Sequence, residues 1–207
     1  MPSIDRWKAT WQELGVPIEP SLLSAFDELI ARYSEPHRKY HTVRHLDECF
    51  AKLDDVRPFA EHPAEVEVAL WFHDAIYEKR SAQNEAKSAD LAAATVRNAG
   101  KPAECAKRVS ELIMATCHAA VPQNIDAKVL VDVDLSILGE TPERFDEYER
   151  QVREEYSWVP EFMFKIERRK ILKEVLARPA IFSTEKFLKR YECQARANIE
   201  RSLKKLQ

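Results

Sequence analysis

Ala69-Leu70-Trp71-Phe72-His73-Asp74-Ala75-Ile76-Tyr77 places an ionisable pair at the end of a strongly apolar run. Burying an imidazole and a carboxylate among such neighbours costs several kcal/mol unless something pairs with them. A divalent cation is a suitable partner, because it compensates the carboxylate and accepts a neutral imidazole as ligand. The alternative is structural, with His73 capping one helix end and Asp74 the start of the next.

The surrounding punctuation is helical. Gly15, Gly100 and Gly139 each follow an apolar-periodic stretch, which is the place of a glycine cap with positive φ. Pro102, Pro142 and Pro160 stand where helices begin, Pro142 behind the capping Thr141. Leu22, Leu23, Phe26, Leu29, Ile30 and Tyr33 recur at threes and fours, as do Phe187, Tyr191, Ala195, Ile199 and Leu203. Further helices are expected at 43 to 54, 64 to 77, 84 to 99, 103 to 117, 126 to 138, 142 to 156 and 160 to 177. No convincing period-2 run occurs, so the expected fold class is all-α, a helical bundle. The loops at 34 to 41, 78 to 83 and 118 to 125 are candidate site walls.

The 207 residues suit one domain, 1–207, better than two. Residues 36 to 140 would form its core and helices from 142 to 207 would pack on that core. Charged residues at 32% and apolar ones at 45% fit a globular chain. The net charge of -3, from 32 Lys+Arg and 35 Asp+Glu, gives no broad positive field, so duplex nucleic acid is not an expected partner. No run of about 18 apolar residues points to a membrane, and Met1 to Arg6 lacks the apolar stretch of a signal peptide. Cys49, Cys105, Cys117 and Cys193 form no C-x-x-C pair and read as small buried apolar residues in a reducing cytoplasm.

Two other segments carry chemistry. In Tyr40-His41-Thr42-Val43-Arg44-His45 the imidazoles stand four apart, which on a helix shares one face. A zincin needs Glu directly after the first His; here Thr42 stands there. In Val129-Leu130-Val131-Asp132-Val133-Asp134-Leu135-Ser136-Ile137-Leu138 two carboxylates interrupt an apolar helix. Leu130, Val131, Ile137 and Leu138 surround Asp134 at helical spacing, making it the better ligand candidate; Asp132, with Lys128 and Ser136 four away on either side, is the alternate.

His, then His-Asp, then a distant Asp, all on helices, resembles the HD superfamily of metal-dependent phosphohydrolases. The likeness extends to Asn84-Glu85 with Ser88, Leu138-Gly139, Arg153-Glu154-Glu155-Tyr156 and Ala195-Arg196-Ala197-Asn198, covering about residues 36 to 203. It implies an HD-domain bundle with one divalent metal (Mn, Mg, Fe, Co, Ni or Zn) on His45, His73, Asp74 and Asp134. The first phrase is also similar to the Tyr-His-Asn-x-x-His segment of cyclic nucleotide phosphodiesterases, which makes His41 a candidate general acid. Thr42 replaces the Asn, so cyclic nucleotide specificity is not implied.

The expected activity is hydrolysis of a small phosphorylated substrate, such as a nucleotide, by activated water, with Asp74 both ligating and orienting that water. Arg38 and Lys39 are candidates to clamp the anion, or ordinary solvated charges; Asn84 and Glu85 are candidates to orient substrate. His118 is a candidate second-metal ligand or a helix-end imidazole. The competing class is a catalytically silent HD-fold module that binds a nucleotide and keeps the metal as a structural cross-link.

Overall fold

The computed structural model describes residues 2–117 and 121–207. Among them every regular element is helical: α1 Ile4–Glu13, α2 Pro20–Tyr33, α3 Val43–Val56, α4 Pro63–Phe72, α5 Asn84–Asn98, α6 Ala103–Ala115, α7 Ile125–Leu135, α8 Pro142–Glu155, α9 Glu161–Leu176 and α10 Glu185–Lys205. Short 3-10 turns come after α3 at Arg57–Phe59 and after α7 at Ser136–Gly139. The all-α expectation holds, and no described helix is long and apolar enough to cross a membrane. The chain divides into two compact units, Met1–Val133 and Asp134–Gln207, where the composition suggests one domain. The division falls inside α7, so no linker marks it in the sequence.

In the first unit α4 is the hub. Every residue from Ala64 to Phe72 is buried, against α1, α3, α5 and α6. A helix enclosed on all sides needs apolar residues all round, which is why this stretch shows no polar face. Its two acids are paired. Arg108 makes a bidentate bridge to Glu65 at 2.7 and 2.6 Å, and Glu67 accepts from Arg6 (2.8 Å), Arg57 (3.0 Å) and Thr10 (2.9 Å). Trp7 meets Trp71 edge-on at 5.3 Å and Trp11 at 5.4 Å, forming the aromatic centre. Gly15 and Gly100 take φ of 73° and 79° after α1 and α5, as caps should.

In the second unit the expected Thr141 cap accepts from the Arg144 amide at 3.3 Å. Gly139 departs from expectation. It has no positive φ; instead a Cβ there would lie 2.5 Å from Tyr191 Cβ and 2.8 Å from Tyr191 O. The glycine permits close approach of α10, and Asn198 completes the joint by donating to Leu138 O (2.9 Å) and Glu140 O (2.8 Å). Arg153 donates to Tyr156 O and Val159 O, closing the end of α8. The Gly139, Arg153 and Asn198 phrases thus do structural work.

Most boundaries match within two residues, but α4 stops at Phe72 instead of 77 and the last turn of α7 tightens to 3-10. Cys49 and Cys105 are buried as expected, whereas Cys117 and Cys193 are exposed.

Candidate metal centre

The early end of α4 builds the site. Continuing the helix would require the Asp74 amide to bond Leu70 O, but the Tyr33 hydroxyl accepts that amide at 3.3 Å and donates to Trp71 O at 3.2 Å. Burial and the nearby Asp74 charge push the Tyr33 phenol upward, so it stays protonated and can donate. The carbonyls beyond the helix go to Arg38, whose Nη1 donates to Asp74 O (2.6 Å) and His41 O (3.2 Å) and whose Nη2 donates to Ala75 O (3.0 Å). A guanidinium at a helix C-terminus satisfies orphan carbonyls and complements the dipole. Ser88 and Asn84, both on α5, hold the segment from Ile76 to Glu78. Ser88 Oγ accepts from Ile76 N, and Asn84 both accepts from Glu78 N and donates to Glu78 O.

His45 from the start of α3 and the His73–Asp74 pair meet on this turn. His45 Nε2 and His73 Nε2 are 3.1 Å apart, with Asp74 Oδ2 at 3.4 Å from His45 Nε2 and 3.1 Å from His73 Nε2. Both imidazoles are buried and Asp74 is half-buried. His73 Nδ1 lies 2.8 Å from Leu70 O. A carbonyl only accepts, so Nδ1 carries a proton, and in the neutral form that ligates a metal the ring would present its Nε2 lone pair toward His45 and Asp74. Burial alone would raise the Asp74 pKa; the His73 and His41 imidazoles, with His45 beside them, outweigh it and hold the carboxyl well below the usual range.

This arrangement fits a divalent cation. Ligands about 2.1 Å from a metal stand about 3.0 Å apart at a right angle and about 3.4 Å apart at a tetrahedral one, which brackets the three donor separations. A single proton on His45 Nε2 serves one of its two contacts at a time. A cation serves all three donors, and the His73 Nδ1–H bond to a backbone carbonyl is the usual support of a ligating imidazole.

His41 precedes the N-cap Thr42, so it is not on the α3 face expected from the four-residue spacing. It still reaches the site: its ring lies 5.9 Å from His45 and stacks on Tyr77 at 4.4 Å. His37 also lies near-parallel to the Tyr77 ring at 6.3 Å, while its Nε2 donates to Tyr77 O at 2.8 Å.

Several substrate candidates are placed otherwise. The Arg38 side chain is fully buried and bonded to backbone, a clamp on the protein's own turn where an anion clamp was expected. Asn84 has both amide atoms on Glu78, and exposed Lys39 donates to Pro36 O. Glu85 sits half-buried in the first turn of α5, where its charge raises the Cys117 pKa after burial has done so. Asp132 is completely buried and Asp134 half-buried, the reverse of what helical phase suggests. Every residue from Val129 to Val133 is buried, so phase cannot single out an inner face. Asp134 opens the second unit. His118 lies outside the described residues.

Sequence reasoning missed Tyr33, His37 and Tyr77. Tyr33 sits in an apolar stripe where its hydroxyl leaves no periodic signal, and His37 is separated from its partner by 40 residues. No family model matches the chain, and neither a curated protein nor a solved structure matches it significantly.

Proposed function

We propose that this chain is an HD-type metal-dependent phosphohydrolase acting on a small phosphoester such as a nucleotide. The single observation that carries the reading is the triangle of donor atoms on His45, His73 and Asp74, with the His73 tautomer set by Leu70 O. In this reading these three hold the metal. When bound, such a cation would lower the pKa of a coordinated water toward about 7 and polarise a phosphoryl oxygen.

The chain's own residues do the rest. Asp74, ionised at neutral pH, accepts a hydrogen bond from the attacking water and orients it. His41 holds a proton on a ring nitrogen for the leaving oxygen, and stacking on Tyr77 limits how that ring turns. Arg38 fixes the backbone on both sides of this acid by bonding His41 O and Asp74 O.

The test is a panel of phosphomonoesters and phosphodiesters assayed with Mn, Mg, Fe, Co, Ni and Zn, alongside His73→Ala and Asp74→Asn. The proposal expects turnover with at least one pairing, lost in both variants together with bound metal. A protein that holds metal and is stabilised by a nucleotide, yet is silent throughout, would sink the enzymatic part.

A further inference from the structure

Ile76 to Lys79, just after the His73–Asp74 turn, form one wall of an open cleft of about 330 Å³, and the end of α2 with its loop, from Arg32 to His37, forms the other. The first wall is irregular chain, yet three successive residues of it are pinned by side chains from elsewhere. Ile76 N donates to Ser88 Oγ at 3.0 Å, Tyr77 O accepts from His37 Nε2 at 2.8 Å, and Glu78 exchanges two bonds with Asn84 at 3.0 and 3.2 Å. A fixed wall suits binding, because little freedom is left to lose when a ligand arrives. The Tyr77 ring also links the cleft to the metal centre: it stacks on His41 at 4.4 Å, and His41 lies 5.9 Å from His45.

The surfaces on offer are planar and apolar. The rings of His37 and Tyr77 are within 9° of parallel, and Ile76 adds an aliphatic side chain. Most charges at the rim are already engaged. Glu35 accepts from Arg38 (3.0 Å), Glu78 from Lys87 (2.7 Å), and Arg32 donates to Glu28 (2.6 Å). Two polar groups have no partner among the described residues, the exposed Lys79 ammonium and His37 Nδ1. In the neutral imidazole that Nδ1 is an acceptor, because Nε2 donates to Tyr77 O. A polyol would need carboxylates or amides free to bridge its hydroxyls, and those of the cleft are engaged. A cation would meet the free ammonium. A planar heterocycle carried on an anion suits every group left: ring faces for stacking, Nδ1 for an N–H on the ring edge, and the ammonium for the negative charge.

We propose that this cleft is the base subsite of the metal centre and that the substrate is a nucleoside phosphate. The base lies against His37, Ile76 and Tyr77, and the phosphoester reaches the His45, His73 and Asp74 triangle. The assignment rests on the phosphohydrolase reading and names its substrate class. Stacking tolerates every base, so the cleft separates nucleotides from other phosphoesters more sharply than one base from another.

The experiment compares adenosine monophosphate with ribose phosphate, which lacks the base, and with adenosine, which lacks the phosphate. Calorimetry on the full chain measures binding of all three, and turnover of the two phosphoesters is followed alongside. Adenosine is expected to bind, and adenosine monophosphate to bind at least tenfold more tightly than ribose phosphate. His37→Ala should weaken both adenosine ligands about tenfold. Lys79→Glu, a change on an exposed side chain that leaves the fold intact, should weaken the monophosphate and spare adenosine. Adenosine that fails to bind, or a monophosphate favoured over ribose phosphate neither in affinity nor in kcat/KM, overturns the proposal even when both phosphoesters are hydrolysed. So does unaltered nucleotide affinity in both variants. The expected binding pattern without hydrolysis of either phosphoester supports the subsite and sinks the catalytic reading alone.

Discussion

The Tyr33 hydroxyl accepts the amide of Asp74 at 3.3 Å, so a residue at the end of α2 decides where α4 stops. Tyr33→Phe keeps the ring and leaves that amide without its partner. The expected loss is about 1–3 kcal/mol in urea unfolding. Divalent metal affinity by calorimetry should fall about 10- to 100-fold, as when the support of a ligand is removed. Unchanged affinity would mean that Asp74 is held by other means.

Arg38→Ala is expected to act on stability before activity. It strips Asp74 O, Ala75 O and His41 O of a buried charged donor and leaves Glu35 without its 3.0 Å partner, an effect of about 3–5 kcal/mol. Arg38→Lys keeps the charge but not the fork, and should recover only part. A variant of normal stability with a raised KM would instead assign Arg38 to substrate.

Gly139→Ala should destabilise the second unit by about 1–3 kcal/mol, because its Cβ would meet Tyr191 backbone and Cβ atoms. Truncating the tyrosine beyond Cβ removes none of those atoms, so Tyr191→Ala should not rescue it. Rescue in a double-mutant cycle would contradict the packing described for α10.

Asp146 gives a pH prediction. Burial raises its pKa, but hydrogen bonds from Lys205 and Arg201 outweigh this and lower it. A depressed carboxyl stabilises fully above its unfolded value, about 3.9, and loses that contribution as pH falls through the folded value. The group is one-third exposed, so screening limits it to about 0.5–1 kcal/mol. Urea midpoints of wild type and Asp146→Asn should differ at pH 7 and converge as pH falls below the folded value.

Local rules explain the features that were legible. Thr141-Pro142, Gly15 and Gly100 act within one turn of the chain, so helix ends near them read directly. The end of α4 depends on Tyr33 and Arg38, more than 30 residues earlier, and an apolar run enclosed on every side gives no phase to show where it stops. Asp132 and Asp134 defeat phase for the same reason. His45, His73 and Asp74 were legible because ionisable groups amid apolar neighbours are conspicuous. Arg38 misled because a cation beside a site motif looks alike whether it faces an anion or a carbonyl.

The bonds from Arg38 to His41 O, Asp74 O and Ala75 O, with the Tyr77 ring near-parallel to those of His37 and His41, join two segments far apart in sequence. Neither segment can unfold locally without releasing the other. Amide hydrogen exchange across 38–42 and 74–78 should therefore proceed with one opening free energy, as a single foldon, although both segments are loops.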